Sequence, residues 1–136
     1  MSEATTTGNE STIPITPELF VRDIDASLRF YVEQLGFRTV RRESGFAVVA
    51  LGDAHLLLAT PDETVPAMAN WLAAGPRGVG VHIRIMVDAV DTFYQLASAS
   101  SATVVQELDD RAYGLRDFII ADPDGFLLRF ASPIER

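Results

Sequence analysis

Apolar positions change their spacing several times along this chain, and each change marks an element. Leu19 and Val21 alternate with Glu18, Phe20 and Arg22, and Pro14 and Pro17 disfavour helix, so residues 14–22 are predicted to be extended. The period then turns helical. Ile24, Leu28, Tyr31, Val32 and Leu35 fall on one face, Asp23 or Asp25 can cap the N-terminus and Gly36 suits the exit, which predicts a helix over 25–35. Ser44-Gly45 and Gly52-Asp53 are turn signals that divide the next stretch into strands at 37–43, 46–51 and 54–60.

Pro61, Pro66, Gly75, Pro76 and Gly78 punctuate residues 61–79, which read as a connection. A short helix fits 65–73 because proline is tolerated in a first turn. The pattern then repeats. Val81, Ile83, Ile85 and Val87 alternate with His82, Arg84 and Met86, so 80–87 is a strand. Asp88 is placed to cap a helix carrying Val90, Phe93, Tyr94 and Ala97. Strands follow at 102–107, 115–121 and 126–131, the last two separated by the turn Asp122-Pro123-Asp124-Gly125.

The repeat is also one of residues. Val21-Arg22-Asp23-Ile24-Asp25 followed by Phe30-Tyr31 is echoed by Val87-Asp88-Ala89-Val90-Asp91 followed by Phe93-Tyr94. Two copies of strand, helix and three strands predict an α+β domain of two βαβββ modules. Module one is 13–60, the connection 61–79 and module two 80–132, after a polar, disordered tail at 1–12. Each module buries one sheet face under its helix and leaves the other to line something. By alternation, Leu19, Val21, Leu56, Leu58, Ile83, Ile85, Leu128 and Phe130 face the helices. Thr16, Glu18, Phe20, His55, Leu57, Ala59, His82, Arg84, Met86, Leu127 and Arg129 face the other way.

Composition narrows the partners. The 136 residues are 48% apolar, enough for one domain with a real core. The net charge is −8 and no Lys/Arg run exceeds two residues, which opposes nucleic acid as a partner. That acidity serves solubility, or favours a cationic ligand at long range. No run of 18 apolar residues exists, so no membrane span is expected. Residues 1–10 carry neither a basic n-region nor an apolar h-region, and cysteine is absent, which excludes disulfides and thiolate metal sites. A cytoplasmic location is expected.

The segments VRDIDASLRFYVEQLGF at 21–37, GVHIRIMVDAVDTFY at 80–94 and AYGLRDFIIADPDGFLLRF at 112–130 resemble the vicinal oxygen chelate superfamily, over about residues 14–132. This superfamily holds glyoxalase I, extradiol dioxygenases, and the fosfomycin- and bleomycin-resistance proteins. The resemblance implies two modules paired into a curved mixed sheet around a cavity, and a homodimer with cavities near the subunit interface. In metal-dependent members four strand positions supply His, Gln or Glu ligands. Carried over, they fall on Thr16, Leu57, His82 and Arg129, two pairs that the internal repeat matches. Only His82 is a good ligand. Leu57 cannot bind a metal and arginine stays cationic. The resemblance therefore implies a metal-independent branch with no cofactor. A metal site rebuilt from His55, His82 and Glu18 is the alternative, and would imply a glyoxalase-like lyase or a dioxygenase.

The expected ligand-binding set is Thr16, Glu18, Phe20, His55, Leu57, Trp71, His82, Arg84, Tyr113 and Arg129. Several members have two readings. Arg84 and Arg129 could bind a carboxylate or phosphate, or pair with Glu18 or Asp117. His82 suits a ligand contact or a hydrogen-bonded core position. Trp71 is a lid over the cavity or a cover for the core, and Tyr113 reaches the cavity mouth or belongs to a turn. No nucleophile–base pair or glycine-rich phosphate loop stands out. Three functions follow: a binding protein for a small organic molecule such as an antibiotic, an enzyme of the glyoxalase or dioxygenase type, or an interaction module with a vestigial cavity.

Overall fold

In the computed structural model, which describes residues 13–60, 66–73 and 77–134, the chain forms two four-stranded sheets of identical strand order. Module one runs β1 (Glu18–Phe20), α1 (Ile24–Leu28, continued by a π-helical stretch Arg29–Gln34), β2 (Arg38–Glu43), β3 (Phe46–Leu51) and β4 (Ala54–Ala59). Helix α2 (Pro66–Ala73) lies in the connection. Module two runs β5 (His82–Met86), α3 (Val90–Ser98), β6 (Thr103–Asp110), β7 (Leu115–Ala121) and β8 (Leu127–Pro133). Sheet one is ordered β1-β4-β3-β2 and sheet two β5-β8-β7-β6. Each pairs its first and last strands in parallel and the rest antiparallel. This is the duplicated α+β architecture that the pattern predicts. The expected tail at 1–12, residues 61–65 and 74–76 of the connection, and the last two residues lie outside the described residues.

The register makes the duplication exact at the level of single residues. Glu18 pairs with Leu57 in sheet one, and the equivalent Arg84 pairs with Arg129 in sheet two. The faces alternate as expected. Leu19, Val21, Leu56, Leu58, Ile85, Leu128 and Phe130 are buried, and Ile83 is half-buried.

Several boundaries differ from expectation for local reasons. Strand β1 has three residues instead of nine, because Pro14 and Pro17 lack the amide hydrogens a longer ladder would use. Strand β6 runs three residues beyond 107, to Asp110. Asp23 caps α1, its Oδ1 accepting from the amides of Asp25 and Ala26 at 2.9 and 3.2 Å. The corresponding expectation for Asp88 is not met. Helix α3 starts one residue later, Ala89 holds the cap position and no side chain bonds the free amides. The helix of module one ends in a wider turn, in which the Leu35 amide donates to the Phe30 carbonyl at 3.0 Å. That turn buries the adjacent Phe30 and Tyr31 together.

One hydrophobic core spans both modules. In module two Phe93 packs at a tilt against Phe130 and Phe118 stacks on it, with ring centroids 4.5 and 5.5 Å away. The Asp122–Gly125 turn of module two also binds module one. Asp124 accepts from Arg22 at 2.9 Å, and Arg77 donates to the Phe20 carbonyl at 2.8 Å while lying 3.6 Å from Asp124. Among the described residues no helix is long and apolar enough to cross a membrane.

Candidate functional site

The faces turned away from the helices carry the chemistry. On β5, His82, Arg84 and Met86 are exposed and alternate with Ile83 and Ile85. On β8, Arg129 stands between the buried Leu128 and Phe130. A row therefore crosses sheet two from Arg84 through Arg129 to Ile119. His82, Leu127 and Ala121 form the row on one side, and Met86, Ala131 and Asp117 the row on the other.

Asp117 is the hub of this face. Its carboxylate is fully buried. Oδ1 accepts from Nε of Arg111 at 2.8 Å, and Oδ2 accepts from the Tyr113 hydroxyl at 2.5 Å. Nε of Arg129 lies 3.1 Å from the same Oδ2, close enough to pair but without the alignment of a hydrogen bond. Arg111 also donates to the Asp117 and Glu107 carbonyls at 3.1 and 2.6 Å. The Arg129 guanidinium sits 5.2 Å from the Tyr113 ring, a cation–π contact. Burial pushes the Asp117 carboxyl up, but the Tyr113 hydroxyl and the two arginines outweigh it and hold it below the usual range. Donating to that carboxylate raises the Tyr113 phenol.

Sheet one brings together Glu18, Phe20, His55 and Leu57 on its equivalent face. Thr16 lies two residues before β1 and is partly buried. The His55 Nδ1–H donates to the Asp53 carbonyl at 3.0 Å, which leaves Nε2 as the acceptor of that ring. Glu18 of module one and Leu127 of module two meet in an apolar pocket of about 350 Å³ between β1 and β5, which Val81 and Phe126 also line. A larger hollow at the N-terminus of α3 is lined by Asp88, Asp91, Asp110 and Arg116, but Arg116 is already tied to Asp91 and Asp110 at 2.9 and 3.1 Å.

The open alternatives divide. Arg129 takes Asp117, as one reading expected. Arg84 and Glu18 have no ion pair among the described residues. Tyr113 lies in the loop before β7 with its ring against Arg129. Trp71 is 79% exposed on α2, so it does not cover the core. Sequence reasoning missed Arg111 and the convergence on Asp117. The signal was available in β7, where Asp117 alternates with the buried Phe118 and shares a face with Ile119 and Ala121.

A family model described as the Glyoxalase/Bleomycin resistance protein/Dioxygenase superfamily matches residues 14–130. The chain belongs to that superfamily. A bleomycin resistance protein of Geobacillus stearothermophilus is 31% identical over 130 residues, covering 88% of this chain and 96% of the relative. Among solved structures, a glyoxalase/bleomycin resistance protein/dioxygenase family enzyme from Burkholderia phytofirmans PsJN superposes with a TM-score of 0.73 at 22% identity, covering 88% of this chain and 97% of the other. TioX from Micromonospora sp. ML1 superposes with a TM-score of 0.69 at 23% identity, covering 88% and 98%. These two structures bear on the fold.

Some members of the superfamily hold a metal, and the residues here do not fit one. Leu57 offers no donor atom, and the Arg129 guanidinium is a permanent cation already set against Asp117. Among the described residues no three His, Asp or Glu side chains gather as a ligand set.

Proposed function

We propose that this chain binds a small organic molecule against the open faces of its two sheets, without a metal, and that it acts by sequestering an antibiotic. The observation that carries this reading is the pair Leu57 and Arg129. They occupy equivalent strand positions in the two modules, opposite Glu18 and Arg84, and neither can ligate a metal. The 31% identical relative named as a bleomycin resistance protein supports the antibiotic. The exposed indole of Trp71 is suited to stacking on a planar group of such a ligand. The open faces, with Arg84, Met86 and Glu18 exposed, are suited to closure by a second copy, so the working form is a homodimer.

Elemental analysis of the purified protein, thermal melting with a panel of antibiotics and light scattering test this together. The expected results are no stoichiometric metal, a dimer, and a melting point that rises with at least one antibiotic of a panel that includes bleomycin. Ligand at one hundred times its dissociation constant stabilises by about 2.7 kcal/mol. One metal per chain that is lost in His82→Ala would overturn the metal-free reading. A panel of antibiotics that leaves the melting point unmoved would overturn sequestration.

A further inference from the structure

Arg84 and Arg129 are register partners on adjacent parallel strands, and both project from the open face of sheet two. Like charges directly opposite each other destabilise a sheet unless something compensates them. Asp117 is the one acid that β5, β8 and β7 place on this face, and its oxygens are already engaged by Arg111, Tyr113 and Arg129. Asp109, on the outer strand β6, pairs in register with Asp117 rather than with the arginines, and its Oδ1 accepts from the Asp110 amide. Arg84 therefore has no anionic partner among the described residues. Arg129 has one, with Nε 3.1 Å from Oδ2 of Asp117.

Two features show that Arg129 is held in place with donors to spare. Its side chain is 19% exposed, pinned between the Asp117 carboxylate and the Tyr113 ring. The Nη end of its guanidinium makes no hydrogen bond among the described residues, and Nε is buried without an aligned acceptor. Preorganised planar guanidinium groups with free donors match the geometry of an oxyanion. Apart from His82 and Asp117, the neighbouring positions in the register are apolar: Ile119, Ala121, Leu127, Ala131 and Met86.

We infer that the open face of sheet two is an anion site, in which Arg84 and Arg129 together hold the carboxylate or phosphate group of an amphipathic organic anion. The inference deepens the binding reading above and rests on it. Asp117, Arg111 and Tyr113 are positioning residues, because they act on the ligand by fixing Arg129. The protein's overall charge of −8 does not oppose this, since exposed charges beyond a Debye length of about 8 Å are largely screened.

Three probes that share one ring system test it by calorimetry on the full chain: 2-naphthoate, 2-naphthamide and 2-naphthylmethylammonium. Naphthoate is expected to bind about tenfold tighter than the amide, the size of a hydrogen bond to a charged group, with the cation weakest. Arg84→Gln and Arg129→Gln should each bring naphthoate to the level of the amide and leave the amide unchanged. Arg129→Gln also disturbs Asp117, so Arg84→Gln, which removes no hydrogen bond or ion pair among the described residues, keeps the test independent of folding. Displacement of naphthoate by inorganic phosphate assigns a phosphate-bearing ligand, and lack of displacement a carboxylate; both uphold the arginine pair. Equal affinity for naphthoate and naphthamide overturns the anion site while binding itself stands. So does an advantage for naphthoate that survives Arg84→Gln. Failure of all three probes at millimolar concentration overturns the binding reading and the anion site with it.

Discussion

The phenol of Tyr31 donates a 2.6 Å hydrogen bond to Oδ2 of Asp122, a residue 91 positions further on and in the other module. Both groups are buried. Oδ1 of the same carboxylate accepts from the amides of Asp124 and Phe126 at 2.9 and 2.8 Å, which closes the turn before β8. One side chain thus shapes the turn and joins the modules. Tyr31→Phe removes the single donor to Oδ2 while keeping the ring contacts to Phe30 and Phe37. Loss of a buried hydrogen bond to a charged group should cost about 1.5–3 kcal/mol, read from urea denaturation at neutral pH. An unchanged midpoint would mean that the carboxylate finds another donor.

The same contact predicts an alkaline limb. Burial, and then the charge of Asp122, push the Tyr31 phenol well above its ordinary value. The unfolded phenol loses its proton near pH 10, while the folded one keeps it. The unfolded state then binds fewer protons, so stability falls as pH rises above about 10. Urea midpoints between pH 9 and pH 11 should drop in the natural chain and drop less in Tyr31→Phe. Parallel slopes for the two proteins would count against Tyr31 as the cause.

Asp117→Asn leaves Arg111 and Arg129 facing a neutral amide. Removing one partner of a buried ion pair costs about 3–5 kcal/mol, and the low end, about 3 kcal/mol, is expected because both arginine side chains keep some contact with water. Burial opposes ionisation of Asp117, yet its three partners hold the carboxyl below the ordinary value. Its stabilising contribution is therefore present above about pH 3.9, the unfolded value, and fades as pH falls through the lower folded one. The acid limb of a stability–pH curve should be shallower in Asp117→Asn.

Gly78 and Gly114 both hold positive φ, at 74° and 94°, but in different surroundings. A Cβ on Gly78 would lie 2.5 Å from the Gly125 carbonyl oxygen and 2.8 Å from Cα of Phe126, both backbone. A Cβ on Gly114 would meet nothing within 4 Å. Gly114→Ala should cost about 1–2 kcal/mol, the penalty of a left-handed residue with a Cβ. Gly78→Ala should cost more, because the connection or the turn must also move. Equal thermal shifts for the two variants would show that the turn yields freely.

Much of the fold was legible in short stretches of sequence. Strands β3 and β7 run over the spans that alternation and flanking turns predict. The echo of Val21-Arg22-Asp23 in Val87-Asp88-Ala89 announced the duplication, yet it misled at Asp88, where one residue of slippage at the helix start leaves the carboxylate unused. At the site, alternation alone put His82, Arg84 and Arg129 on one face. It left Arg129 open between Asp117 and a ligand, and did not anticipate Arg111.

The division follows the range of the forces. Period, turn chemistry and helix caps act over a few residues, so the element order, the two-module repeat and the face on which each side chain lies can be read from the chain alone. Which partners meet across β5, β8 and β7 depends on strands 45 residues apart being brought into register, Arg84 beside Arg129. That three side chains share the Asp117 carboxylate, and that Asp122 reaches back to Tyr31, follows from how the folded chain packs. A buried carboxylate takes whichever donors the packed chain brings within 3 Å, and sequence spacing carries no record of that distance.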